Sequence, residues 1–346
     1  MGIQGLLPLL KSITHETSLE HLRGKTVAID TLCWLHRGIY SCTQQLALGQ
    51  PTKAYVKFCE SMLDLLLHFG IIPYFVFDGS YLPAKREKEE ERRTNRETAL
   101  REGRAAHAAG DAAGAQTAFA RAVDVTPQMA YEFIIVLRRV CRAREAASAC
   151  FSCLSTRVCP LALQRGLAFV VAPYEADAQL AFLCREGIVD AVITEDSDLL
   201  PYGARRVLYK LDRASGTGQE VRGVARSSVR GHVQPFSRPP QVELGRLASN
   251  VDPSFLHWTD DMFLSFCVLA GCDYLVRFGE GGGWGGRNAC SCLPFCVLVH
   301  FCCLTRPQSS LPGFGPRKAH AFVGRHKTQE RIAQMLSFEN PETRTR

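Results

Sequence analysis

Three short apolar runs in this sequence end in carboxylates, and that repetition limits the fold more than any other feature. Val192-Ile-Thr-Glu195-Asp196-Ser-Asp198-Leu-Leu200, Lys25-Thr-Val-Ala-Ile-Asp30 and Ile71-Ile-Pro-Tyr-Phe-Val-Phe-Asp78 each carry β-branched or aromatic residues into acid. Apolar runs of this length read as strands buried on both faces, as in a parallel sheet, and open α/β sheets bind ligands at the carboxyl ends of their strands. Three parallel strands would deliver Asp30, Asp78 and the Asp196/Asp198 pair to one edge. Acids that close repel one another unless a cation lies among them, and oxygen-only ligands favour magnesium or manganese over zinc. An acidic turn capping the next helix explains the Glu195-Asp196-Ser-Asp198 run alone equally well. The recurrence at three strand ends favours metal.

Ala172-Pro-Tyr-Glu175-Ala-Asp177-Ala-Gln offers two more acids. Pro173 suits the first turn of a helix and acids suit its positive end, which is the plain explanation of the motif. Residues two apart are separated by about 200° on a helix. Glu175 and Asp177 can therefore share a face only if one of them sits in the turn leading into it. Asp273, in Ala270-Gly-Cys-Asp273-Tyr, follows an apolar helix-like run from Met262 and brings the candidates to seven.

A chain of 346 residues with 46% hydrophobic content sustains one large α/β domain or two smaller ones. It has 15 cysteines, but Met1-Gly-Ile-Gln-Gly-Leu-Leu-Pro lacks the basic and apolar regions of a signal peptide. The thiols are therefore expected to be reduced and the protein intracellular. The longest dense apolar run, 293 to 304, is too short to span a bilayer, and no membrane partner is expected. The net charge of +7 is concentrated in the stretches 142–165, 222–254 and 276–312, which carry +3, +3 and +2. Global charge is thus a poor guide to partners. With seven carboxylates neutralised by metal the rest of the chain stands at about +6, which is compatible with phosphate binding. The three stretches read as irregular insertions, and Cys150-x-x-Cys153 has no second pair at zinc-ribbon spacing.

From Lys85 to Arg104 there are eight basic and six acidic residues and few apolar ones. That is the texture of a solvated helix laced by i,i+4 pairs, which must bridge, project or clamp because it cannot pack alone. Gly103, Ala115, Phe119, Ala122 and Pro127 then read as a helical hairpin.

Met1-Gly-Ile-Gln-Gly-Leu-Leu, Asp30-Thr-Leu-Cys-Trp-Leu-His36, Val76-Phe-Asp78-Gly, Pro173-Tyr-Glu-Ala-Asp-Ala-Gln179, Thr194-Glu-Asp-Ser-Asp198-Leu and Gly271-Cys-Asp-Tyr274 resemble the ordered motifs of the flap endonuclease superfamily. Cys33-Trp-Leu-His36 is most similar to its exonuclease branch. The resemblance covers most of 1–141, 166–221 and 256–275, with a fainter continuation from Gly313. It implies an α/β fold, a mixed and mostly parallel central sheet flanked by helices (PIN-like 5′ nuclease fold), with a helical arch and an interrupted helix-two-turn-helix. The implied plan is a nuclease region 1–84, an arch 85–141, an internal nuclease region 166–221, a last metal-site helix 255–275 and a hairpin remnant with a C-terminal helix 313–346. The insertions 142–165, 222–254 and 276–312 separate these pieces.

By the same resemblance Asp30, Asp78, Glu175, Asp177, Asp196, Asp198 and Asp273 match metal-binding positions for two Mg2+ ions, which Mn2+ can replace. Lys85 and Arg92 match arch residues that act on the scissile phosphate. Gly2 matches a glycine whose backbone lies near substrate, and His36 a residue of the wedge that bends DNA. Arg93 and Arg96 of the basic helix are expected to contact DNA. Gly313, Gly315 and Lys318 resemble a hairpin whose backbone N–H groups, with a K+ ion, hold duplex phosphates. The implied activity is a magnesium-dependent 5′ to 3′ double-stranded DNA exonuclease with 5′-flap endonuclease activity, in mismatch repair, recombination and end resection in the nucleus. Its partners would be double-stranded DNA with nicks, gaps, ends or 5′ flaps, and mismatch-repair proteins. The alternatives are a flap endonuclease and a DNA-end-binding protein that no longer cuts. Two departures stand out: Leu32 replaces an aromatic used for base stacking, and about forty residues separate Asp273 from Gly313 where the family's spacing is short. The chain is also expected to stop, at Arg346, short of the family's closing core segment and partner-binding tail.

Overall fold

The computed structural model describes residues 2–82, 85–149, 167–213, 216–222, 247–271 and 315–339. Asp273, Gly313 and Cys150-x-x-Cys153 lie outside the described residues. The strands are β1 (Thr14–Ser18), β2 (Thr26–Asp30), β3 (Ile72–Phe77), β4 (Ala168–Val171), β5 (Ala191–Ile193), β6 (Arg206–Tyr209) and β7 (Thr217–Arg222). The helices are α1 (Leu6–Leu9), α2 (Thr31–Ile39), α3 (Thr43–Ala47), α4 (Ala54–His68), α5 (Arg86–Ala108), α6 (Ala112–Ala122), α7 (Pro127–Ala149), α8 (Ala176–Arg185), α9 (Asp260–Leu269), α10 (Pro316–His326) and α11 (Gln329–Glu339). They fall into two compact units, a larger one of Glu16–Glu195 and Leu208–Gln219 and a smaller one of Met1–His15, Asp196–Val207 and Glu220–Arg346.

The sheet has seven strands in the order β1-β7-β6-β5-β2-β3-β4. Strands β2, β3, β4 and β5 lie wholly in the larger unit, and β2 pairs in parallel with both β3 and β5 while β3 pairs in parallel with β4. The three apolar runs are β2, β3 and β5, and the α/β class with a mixed, mostly parallel sheet is as expected. Val27, Ala28, Ile29, Phe75, Val76, Ala191 and Val192 are all fully buried, which is why these strands read as continuous hydrophobic runs. Trp34 of α2 and Phe133 of α7 meet Phe75 edge-on, at 5.7 and 5.4 Å between ring centres. Cys59, Met62, Leu63 and Leu66 of α4 complete this core.

Helices α5 and α6 form the expected hairpin, packed through Gly103, where a Cβ would stand 2.6 Å from the Phe119 ring. Its far end meets α3, where Gln116 Nε2 donates to Thr43 Oγ1 at 3.1 Å. Along α5 Glu89 pairs with Arg92 and Glu90 with Arg93, each three residues apart. Helix α7 continues to Ala149, past the expected break at 142, because the Ala- and Arg-rich text there still favours helix.

In the smaller unit Phe255, Phe263 and Phe266 gather around α9, and His320 of α10 stacks on Trp258 at 4.5 Å and 9°. Asn250 is buried and donates to the Leu9 and Pro253 carbonyls at 3.0 and 2.8 Å. Residues 247–254, expected to close an irregular stretch, are therefore tied into this unit. No helix among the described residues is long and apolar enough to cross a membrane.

Candidate active site at the carboxyl edge of the sheet

The parallel register sets Ile29 beside both Phe75 and Ile193, and Phe77 beside Val171. The carboxyl ends of β2, β3, β4 and β5 therefore share one edge. Asp30 closes β2 and caps α2, and its carboxylate is held by three donors. Cys33 N–H reaches Oδ1 at 3.2 Å, while the Cys33 thiol and the Thr194 hydroxyl reach Oδ2 at 2.9 and 2.7 Å. Burial, reinforced by the Asp30 charge, drives the Cys33 thiol well above its ordinary range. Cys33 and Thr194 lie inside sequence motifs, yet nothing in the sequence shows that they bond Asp30.

Asp78 follows β3 directly and accepts the Ala176 N–H at 2.9 Å. Solvent reaches this side chain, but the protein around it is dense enough that burial pushes its carboxyl up to about 7. The charges of Asp30 and Glu175 add to that push, while the Ala176 hydrogen bond and Lys85 oppose it. Gly79 comes next because no side chain fits there: a Cβ would fall on the Ala172 carbonyl oxygen. Across this close approach Gly79 N–H donates to Tyr174 O at 2.7 Å and Ser80 N–H to Pro173 O at 3.1 Å. The pairing holds Pro173 in a bend ahead of the helix; α8 starts at Ala176, and the expectation of Pro173 in its first turn is corrected. Glu175 is the N-cap residue and Asp177 stands in the first turn, the arrangement under which two acids two residues apart can share a face.

Lys85 is buried at the head of α5, and its Nζ lies 2.8 Å from both oxygens of Glu175. Asp30, Glu175 and Lys85 thus all act electrostatically on Asp78, and Lys85 pairs directly with Glu175. Among the described residues no three His, Cys, Asp or Glu side chains are already drawn together as an ion site. Glu195 is engaged elsewhere, 3.6 Å from Arg37 and accepting the Lys210 N–H at 3.2 Å.

Further out lies a basic group. Arg96 Nη2 is 2.7 Å from Asp124 Oδ2, and His36 Nε2 is 3.5 Å from Asp124 Oδ1. Burial lowers the His36 pKa; Asp124 and Asp30 oppose the shift, and Arg96 and Arg92 add to it, so Arg92 belongs to the same neighbourhood. Arg93 points to solvent and pairs with Glu90. Asp124 was silent in the sequence, where Asp-Val-Thr-Pro reads only as the lead-in to α7.

In the smaller unit Asp196 and Asp198 are both buried, and Asp196 accepts the Asp198 N–H at 2.9 Å as the cap of a short 3-10 turn. Gly2, at φ +81°, leaves no room for a Cβ against Asp196 Oδ1 and Ser197 Oγ, and Ile3 N–H donates to Ser197 Oγ at 2.8 Å. The amino-terminal glycine therefore seats the Asp196 turn. Gly315 is the exposed N-cap residue of α10 and Lys318 is exposed in its first turn, ahead of buried Ala319.

Residues 1–99 match the XPG N-terminal domain and residues 166–273 the XPG I-region, together more than half of the chain. Exonuclease 1 of Arabidopsis thaliana is 34% identical over 338 residues, covering 98% of this chain and 35% of that protein. Exonuclease 1 of Danio rerio is 40% identical over 286 residues, covering 82% and 29%. The chain spans about a third of the length of these curated relatives. The catalytic core of Rad2 in complex with DNA substrate has the same fold, with a TM-score of 0.57 at 16% identity over 99% of this chain and 74% of that one. With both XPG regions in order along it, the chain belongs to the flap endonuclease superfamily and is similar to exonuclease 1.

Proposed function

We propose that this chain is a magnesium-dependent 5′ to 3′ exonuclease of double-stranded DNA that also cuts 5′ flaps. The observation that carries the reading is Asp78 at the carboxyl edge of a parallel sheet, within electrostatic reach of Asp30, Glu175 and the Lys85 that pairs with Glu175, in a chain with both XPG regions. The donors are hard oxygens, and burial together with the charges of Asp30 and Glu175 pushes the carboxyl of Asp78 up to about 7, a concentration of negative charge that fits a divalent cation. Asp30, Asp78, Glu175, Asp177, Asp196, Asp198 and Asp273 are the proposed ligands of two Mg2+ ions, replaceable by Mn2+. Bound there, such ions would supply a hydroxide nucleophile near neutral pH and neutralise the leaving 3′ oxygen.

The chain's own residues do the rest. Cys33 and Thr194 fix the direction in which Asp30 offers its oxygens. Lys85 brings an ammonium group to the acid edge, and Arg92 is the second cation we assign to the scissile phosphate. Their effect grows as charge develops on the phosphate in the transition state. Gly2, His36, Arg93, Arg96, Gly313, Gly315 and Lys318 are the proposed DNA contacts, with K+ at the hairpin. The substrates would be nicks, gaps, ends and 5′ flaps met in nuclear mismatch repair, recombination and end resection, with mismatch-repair proteins as partners. The arch is assigned to 85–141 and the nuclease regions to 1–84 and 166–221.

The test is a 5′-labelled duplex incubated with Mg2+ or with EDTA. Mononucleotides released from the 5′ end only with Mg2+ are expected. Release of intact flaps without mononucleotides would identify a flap endonuclease, and binding without cutting would replace the enzyme with an end-binding protein.

A further inference from the structure

The carboxylate of Asp124 lies in the connection between α6 and α7, and it draws basic side chains from two other helices. Arg96 reaches it from α5 at 2.7 Å and His36 from α2 at 3.5 Å, with Arg92 close enough to act on His36. The Val125 N–H, at 2.9 Å from Oδ1, fixes the carboxylate's orientation. Side-chain exposures of 29%, 32% and 27% for Arg96, Asp124 and His36 leave the group open to solvent from outside. We infer that His36 and Arg96 form a phosphate-binding subsite which Asp124 fills in the free protein, making Asp124 an internal competitor for a phosphate of the DNA strand.

The inference rests on the nuclease reading for the identity of the ligand. Its geometry does not. A carboxylate presents two acceptor oxygens to a guanidinium fork, and a phosphate presents the same pair with at least as much charge. Ion pairs open to solvent contribute little, so a strand phosphate can displace Asp124 without a large penalty. A purely structural Asp124 would staple α5 to α2, and its loss would loosen the arch and weaken DNA binding. A competitor predicts the opposite sign.

The experiment measures binding of fluorescent duplexes by anisotropy in EDTA, where no cutting occurs, using the whole chain. Asp124→Asn and Asp124→Ser should bind about tenfold more tightly, as expected if about one molecule in ten has the subsite open. Glu102→Gln removes the same charge from the exposed pair with Arg121 on the same hairpin, and should change affinity little. Adding Arg96→Gln to Asp124→Asn should cancel the gain. Duplexes with a 5′ phosphate and with a 5′ hydroxyl separate the two sources: a gain only with the phosphate marks a terminal monoester, and equal gains mark an internal diester. Wild-type binding that Asp124→Asn leaves unchanged or weakens, or a gain from Glu102→Gln of equal size, would overturn the subsite alone. No DNA binding by any chain, wild type included, would overturn the nuclease reading and the subsite together.

Discussion

Replacing Gly79 with alanine tests how the acid edge is assembled. The added methyl falls on the Ala172 carbonyl oxygen and stands 2.9 Å from that of Pro173, so backbone meets backbone and no side chain can rotate away. The segments 78–80 and 172–174 must separate, and the hydrogen bonds from Gly79 N–H to Tyr174 O and from Ser80 N–H to Pro173 O are stretched or lost. Two such bonds contribute about 0.5–1.5 kcal/mol each. Overpacking adds about 1–3 kcal/mol. The sum, about 2–6 kcal/mol, corresponds to a fall of about 0.7–2 M in the urea midpoint for an m-value near 3 kcal/mol/M. The measurement is urea unfolding followed by circular dichroism, paired with nuclease assays. Because the same separation parts Asp78 from Glu175 and Ala176, cutting should fall even in molecules that remain folded. An unchanged midpoint with full activity would mean that the two segments are not in contact.

Asp78→Ala should abolish cutting and leave DNA affinity near that of the parent, since it removes a proposed metal ligand rather than a phosphate contact; near-parental cleavage would remove Asp78 from the site. Lys85→Ala should slow single-turnover cleavage by orders of magnitude and shift affinity modestly, because its positive charge acts mainly in the transition state. An unchanged single-turnover rate would refute that role. Away from the site, burial and the neighbouring Asp261 raise the Asp260 carboxyl to about 6. Here the folded chain holds a proton that the unfolded chain releases, so stability should fall as pH rises from the ordinary carboxylate range to about 6 and level off above it. Asp260→Asn should flatten that slope in thermal melts, and an identical slope in both proteins would contradict the assignment.

The sequence showed most clearly what burial imposes on it. Strands β2, β3 and β5 were readable because both faces are covered and only apolar residues survive there, and Gly103 against Phe119 was readable as a hairpin spacing. Pro173 misled because its local preference for a first helical turn yields to the pairing of 172–174 with 79–80, a contact between segments far apart in the chain. Glu195 looked like one acid of a triplet, yet Arg37 and the Lys210 N–H hold it apart from that role. Strand β4 is half exposed, and its apolar run Leu167-Ala-Phe-Val-Val-Ala172 leads into Pro173 rather than into the terminal carboxylate that marked the others. Asp124 carried no signal at all, since its partners come from helices whose approach only the fold determines.

The central strand pairing also says something about how the chain must fold. Strand β2 finds β5 across a sequence separation of 164 residues, as the Thr194–Asp30 bond does. Pairings this distant close only after a long stretch of chain has been searched, so assembly should be slow and governed by topology rather than by local helix formation. Until β6 arrives, the apolar strand Ala191–Ile193 has a bare edge, ready to pair with another chain. Fragments ending before Arg206 would therefore be expected to aggregate even though every residue of β2, β3, β4 and β5 is present.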